Sequence, residues 1–141
     1  MKIWGSAPND LYAIDAAGAI LHFDSEVWSP AGGALAPVSD IWGSSGDDVY
    51  AVGRNGIILH YDGAVWDTIP SGTSTQLLGV WGSSAENIFV VGVGGLALHF
   101  DGAQWKTMST NTRRNLLEVG GSADGSVFAV GDKGLIIGHR F

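Results

Sequence analysis

Three histidines stand two residues before an aspartate, in the pairs His22 and Asp24, His60 and Asp62, and His99 and Asp101. On an extended strand, side chains at i and i+2 share a face, so each pair could form a histidine–carboxylate dyad or supply two ligands to a metal. The pair recurs once per repeat, however, and a feature copied into every repeat most simply serves the repeat. In that reading the aspartate bonds local amides in a turn and the histidine fills a polar niche. Tryptophan raises a second chemistry, since Trp4, Trp42 and Trp81 could wall a sugar or other small-ligand site. As repeated residues they read instead as packing between neighbouring units, with Trp28, Trp66 and Trp105 plugging the outer strands.

Covalent catalysis finds no residues. The chain has no cysteine and no G-x-S-x-G elbow. The G-x-x-G stretches at Gly53 to Gly56 and Gly131 to Gly134 belong to hairpin turns rather than phosphate loops. Arg54, Arg113, Arg114 and Arg140 do not recur at inner-strand positions, as the arginine cluster of a sialidase would. The residues therefore point to a protein that is not an enzyme, with no cofactor and no metal. A net charge of -7 argues against a nucleic-acid partner, because phosphate binding needs clustered Lys and Arg. No apolar run reaches the length of a membrane span. Met1 and Lys2 lead directly into the first repeat, so the chain reads as cytoplasmic as it stands, or as a piece of something longer.

The elements that must position these residues follow from one unit. IWGSSGDDVYAVGRNGIILHYDGAVW, from Ile41 to Trp66, is matched by IWGSAPNDLYAIDAAGAILHFDSEVW from Ile3 and VWGSSAENIFVVGVGGLALHFDGAQW from Val80. A shorter copy, VGGSADGSVFAVGDKGLIIGHRF, begins at Val119. Trp4, Trp42, Trp81 and then Gly120 mark a period of 38, 39 and 39 residues, the signature of a repeat architecture. Approximate repeats are 3–38, 41–77, 80–116 and 119–141 within a single domain of residues 1–141. Each unit predicts an inner strand closed by Gly-Ser, an acidic turn, and then a second strand. Those second strands, such as Val49 to Val52 and Val127 to Val130, are apolar enough to be covered on both faces. Glycine at 18, 56, 95 or 134 allows a tight connection to a third strand, and an Asp-Gly pair in two copies reverses the chain into a fourth. Four short antiparallel strands per period is one β-propeller blade, whose two apolar faces are hidden only by stacking on neighbours. The fold class is all-β, with about four blades, the last lacking its outer strand.

The phrases WGSS, DVYAVG and G-x-I-L-H-Y-D-G followed by tryptophan resemble the short propeller repeats of bacterial proteins. They are similar to Asp-box propellers, including the photosystem assembly-factor type. The resemblance implies that the first strand of each copy lies nearest the axis and that the Asp-containing turn joins the third and outer strands. Asp24, Asp62 and Asp101 take the place of the box aspartate, and Trp28, Trp66 and Trp105 that of its aromatic. His22, His60 and His99 stand where Ser or Thr is usual, which makes these blades relatives of the Asp-box type.

Four blades in a half ring would expose apolar end faces, and two chains about a two-fold axis would cover both in an eight-bladed ring. A homodimer is therefore expected. What varies between copies bears on recognition. One face of the disc should carry the second-to-third-strand turns and the blade connections, including Arg54, Asn55, Arg113, Arg114, Asp132 and Lys133. The opposite face should carry the acidic turns, so the disc is expected to be polarised in charge. The leading expectation is a binding scaffold for protein partners that assembles by self-association. Its rivals are a lectin-like carbohydrate or small-ligand binder at blade junctions, and a propeller fragment or an evolutionary or engineered model of propeller assembly without a ligand. A lectin should repeat its polar contacts, yet SPAGGALAPVSD, TIPSGTSTQLLG and TMSTNTRRNLLE share little.

Overall fold

The computed structural model describes residues 1–31, 36–122 and 124–140. Its first sheet comprises β1 (Lys2–Ala7), β2 (Asp10–Ile14), β3 (Ile20–Phe23) and β4 (Trp28–Pro30), antiparallel and in chain order. The second repeats this with β5 (Val38–Ser45), β6 (Asp48–Gly53), β7 (Ile58–Tyr61) and β8 (Trp66–Ile69). The third has β9 (Leu77–Ser84), β10 (Asn87–Gly92), β11 (Ala97–Phe100) and β12 (Trp105–Thr107). The fourth contains β13 (Leu116–Gly121), β14 (Ser126–Gly131) and β15 (Leu135–Arg140). These are four blades of a β-propeller, with β1, β5, β9 and β13 adjacent along the inside. Register is kept throughout, because Trp4 lies opposite Tyr12, Trp42 opposite Tyr50, Trp81 opposite Phe89 and Gly120 opposite Phe128.

The second strand of each blade alternates between two neighbours. Tyr12 and Ile14 pack against Val49 and Ala51 of the next blade, and Tyr50 and Val52 against Ile88 and Val90. Phe89 and Val91 then meet Val127 and Ala129. Burial on both faces of β6 and β10 follows from this alternation, since each sits between two blades. Inner tryptophans lock the same junctions. A Cβ added to Gly43 would lie 2.6 Å from the Trp4 ring, and those on Gly82 and Gly121 would lie 2.5 Å from Trp42 and Trp81. Glycine is required at each seat because the ring of the preceding blade lies flat on the strand.

The outer blades do not follow the expectation of two covered faces. On the fourth, Phe128, Val130 and Ile136 are 51%, 43% and 68% exposed; on the first, Ile3 is 66% exposed. Among the described residues neither face has a neighbouring sheet, so the series of blades is open. Among the described residues no helix is long and apolar enough to cross a membrane.

Candidate functional site

Strand register gives the histidines partners other than the expected ones. His22 Nε2 lies 2.6 Å from Asp10 Oδ1, His60 Nε2 lies 2.6 Å from Asp48 Oδ1, and His99 Nε2 lies 2.7 Å from Asn87 Oδ1. Asp24, Asp62 and Asp101 fall past the strand end and accept the N–H groups two and three residues on, such as those of Ala64 and Val65 at 2.9 Å. Each is thus an Asx turn. The far oxygen of Asp10 accepts from Ser6 Oγ and that of Asp48 from Ser44 Oγ, while Asn87 Nδ2 donates to Ser83 Oγ at 2.7 Å. The histidine rings stack on Tyr12, Tyr50 and Phe89, at 4.4, 4.4 and 4.5 Å between centroids. A serine of the first strand, an acidic or amide residue of the second and a histidine of the third therefore bind one blade together.

Serine, histidine and aspartate invite comparison with a nucleophilic triad, and the geometry answers it. In such a triad the histidine stands between the acid and the serine, ready to take the serine proton. In these blades the carboxylate stands between them, so the serine hydroxyl is donated to Asp and is not activated. Burial pushes the Asp10 carboxyl up, but the bonds from Ser6 and His22 outweigh it and hold it below its ordinary value. Asn87 fills the same place in the third blade, which shows that the arrangement needs an acceptor more than a charge. Among the described residues no three His, Cys, Asp or Glu side chains gather as a metal site would need.

The predicted partner face is assembled by hydrogen bonds between turns and connections. Arg54–Gly56, Val93–Gly95 and Asp132–Gly134 are single 3₁₀ turns. Ser71 Oγ donates to Gly56 O at 2.6 Å and Thr110 Oγ to Gly95 O at 2.6 Å, while Asp132 N–H donates to Asn115 O at 3.0 Å. Arg54, Asn55, Arg113, Arg114 and Lys133 are exposed, and Asp132 is half-buried. Arg54 and Asn55 border a shallow depression completed by Thr68, Ser71, Thr73 and Ser74. Arg113 and Arg114 stand on the connection between the third and fourth blades. At the turns between first and second strands, Asp47 lies over Gly63 and Glu86 over Gly102.

A polar layer that the sequence reading missed lies on the inner strands. Lys2, Asp40, Gly79 and Glu118 occupy one register position, opposite Ile14, Val52, Val91 and Val130. Lys2 Nζ donates to Glu118 and lies 3.7 Å from Asp40 Oδ1, tying the first blade to the fourth. Buried Asp40 accepts the N–H of Ile41 and, from the next blade, that of Val80, each at 2.9 Å. Burial raises its carboxyl to about 6 and Glu118 adds to the rise, against the Val80 amide and Lys2. Because the folded state holds this proton more tightly than an unfolded chain does, the contribution to stability is full below about pH 4 and fades as pH rises through about 6. Relative to Asp40→Asn, the native protein should lose about 1–3 kcal/mol of stability over that interval. Parallel profiles of denaturant midpoint against pH would refute this assignment.

The comparisons with known proteins concern the fold. YCF48 from Cyanidioschyzon merolae superimposes with a TM-score of 0.81 at 16% identity, covering 99% of this chain and 50% of that one. A structure of YCF48 bound to D1 peptide gives 0.80 at 15% identity, covering 97% and 50%. An ancestral GH74 enzyme gives 0.77 at 14% identity, covering 97% and 22%. The chain spans about half the length of the YCF48 structures it matches. No protein-family model and no curated protein matches the sequence.

Proposed function

We propose that this chain is a non-enzymatic propeller scaffold that binds a protein partner on its connection face and completes its ring by pairing with a second copy. The observation that supports the pairing is that the two exposed blade faces carry the two halves of an aromatic contact made at the junctions within the chain. Within the chain, Trp66 meets Tyr12 of the preceding blade edge-on at 6.3 Å and Trp105 meets Tyr50 at 6.4 Å. Trp28 is the matching ring of the first blade and is 45% exposed; Phe128 is the matching acceptor of the fourth and is 51% exposed. Docking the fourth blade of one copy on the first blade of another brings these two together.

The inner end of that junction fits as well. Gly120 offers no ring where the other blades offer tryptophan, and at Gly5 the side chain of Leu11 already lies where a ring would rest. A two-fold axis along the propeller makes two such junctions and gives eight blades without a free apolar face. Recognition of a partner is supported by the exposed, non-repeating cations Arg54, Arg113, Arg114 and Lys133 on rigid blades. YCF48, which shares the fold, binds D1 peptide.

Solution mass tests the pairing. Light scattering should give twice the chain mass for the native protein and the single mass for Phe128→Lys, which puts a charge at the centre of the junction. A native protein that stays at the single mass at every concentration would overturn the ring.

A further inference from the structure

We propose that Lys2 and Glu118 form an ionic bar across the propeller axis, and that this bar positions the cations of the connection face. Neighbouring blades are joined by packed apolar junctions, the first to the second, the second to the third and the third to the fourth. The bar is of another kind, because it skips two blades. Lys2 leaves β1 and donates to the Glu118 carboxylate on β13, with its Nζ also 3.7 Å from Asp40 Oδ1 of β5. Asp40 is itself fixed, since it accepts the N–H of Ile41 and, from β9, that of Val80. One chain of polar contacts therefore runs from β9 through Asp40 and Lys2 to β13. Gly79 completes the layer by its size: a Cβ there would lie 3.0 Å from Glu118 Cα.

The bar lies directly beneath the connection face. Asp40 stands opposite Val52, two residues before Arg54, and Glu118 stands opposite Val130, three before Lys133. Lys2 stands opposite Ile14, where β2 enters the turn that Asp15 Oδ1 holds through the N–H groups of Ala17 and Ala19. Arg113 and Arg114 lie on the connection that leads into β13 and Glu118. Packed elements slide past one another by about 1–2 Å, and slack at successive junctions adds up between the first blade and the fourth. A tie between those two blades limits the sum where no single junction can. The Lys2 and Glu118 side chains are 36% and 44% exposed, so water screens the pair and it adds little to stability. Its effect is geometric, setting how far the turn of the first blade stands from the arginines before the fourth. The role in recognition rests on the partner-binding reading of the connection face, whereas the bar itself does not.

A chain without cysteine accepts spin labels at chosen positions. Ala16→Cys on the first blade and Arg113→Cys before the fourth, both exposed, are labelled with a nitroxide. The doubly labelled chain is diluted into a large excess of unlabelled chain, so that double electron–electron resonance reads distances within one chain. The native sequence should give one narrow distribution. Lys2→Met, which removes the charge and keeps most of the side chain, and Glu118→Gln should each shift or broaden it by about 3 Å or more, at roughly 1 Å per junction. Their unfolding midpoints should stay close to that of the native chain. Lys2→Arg should keep the native distribution, and salt at about 1 M should broaden it toward that of the neutral variants. Neutral variants that match the native chain, or a Lys2→Arg distribution as broad as that of Lys2→Met, overturn the bar. These distances need neither a partner nor a second copy, so the bar and the proposed function fail separately.

Discussion

Replacing Trp42 with alanine should lower the free energy of unfolding by about 3–5 kcal/mol, a large share of what holds a domain of this size. The ring fills the junction between the second and third blades, packed on their shared core and laid against Gly82, where even a Cβ would come within 2.5 Å of it. No neighbour can close the space, since the surrounding groups are strand backbone and branched side chains already in contact. Trp28 provides the contrast, as a ring of the same size with one side in solvent. Measured in the Phe128→Lys background, where no second copy covers it, Trp28→Ala should cost about 1 kcal/mol or less. Guanidinium unfolding of both variants decides the matter. A loss below about 1 kcal/mol for Trp42→Ala would mean that the blades hold together without their inner rings.

That contrast shows what the period of the sequence could and could not reveal. Trp42 and Trp28 recur in the same way in their repeats, and both read as packing. Trp42 stands on an inner strand and Trp28 on an outer one, and what leaves Trp28 more exposed than Trp66, its match in the second repeat, is the lack of a preceding blade among the described residues, a property of the assembled array. The same holds for β14, whose Phe128 and Val130 carry the apolar alternation of Tyr50 and Val52 yet, among the described residues, face no sheet. Strand order and turn glycines were legible because each depends on residues within one repeat. Gly56, Gly95 and Gly134, placed in tight connections by their spacing, have φ of 69, 79 and 72°.

The histidine partners were less legible, and the reason is register. His60 and Asp62 are neighbours in sequence, but the strand ends between them and the aspartate turns to cap amides. Asp48, twelve residues earlier, arrives beside the histidine because β6 and β7 pair Tyr50 with His60. A signal was present in the repeated spacing of Ser6, Asp10 and His22, of Ser44, Asp48 and His60, and of Ser83, Asn87 and His99. The fourth repeat has Gly138 at the histidine position, and Ser122 donates to Asp124 at 2.5 Å. The axial layer of Lys2, Asp40 and Glu118 left no such trace, because its residues differ in every copy.

Two adjacent glycines make the last expectation the most selective. Gly94 and Gly95 share one turn and both have left-handed backbone, with φ of 68 and 79°. A Cβ on Gly94 would meet nothing within 4 Å, whereas one on Gly95 would overlap the carbonyl oxygen of Thr112. The positions equivalent to Gly94 hold Asn55 and Lys133, both at φ 57°. Gly94→Asn should therefore change stability by no more than about 0.5 kcal/mol. Gly95→Ala combines a disfavoured backbone with a clash against main chain that cannot rotate away, and should cost about 3 kcal/mol or more. The damage should also reach recognition. Thr112 belongs to the connection that presents Arg113 and Arg114, and Thr110 anchors that connection to Gly95 O. Denaturant unfolding of the two variants checks the first claim, with equal losses as the refuting result. Hydrogen exchange over residues 109–115 checks the second: faster exchange in Gly95→Ala alone is expected, because the contact that sets the turn also positions the two arginines.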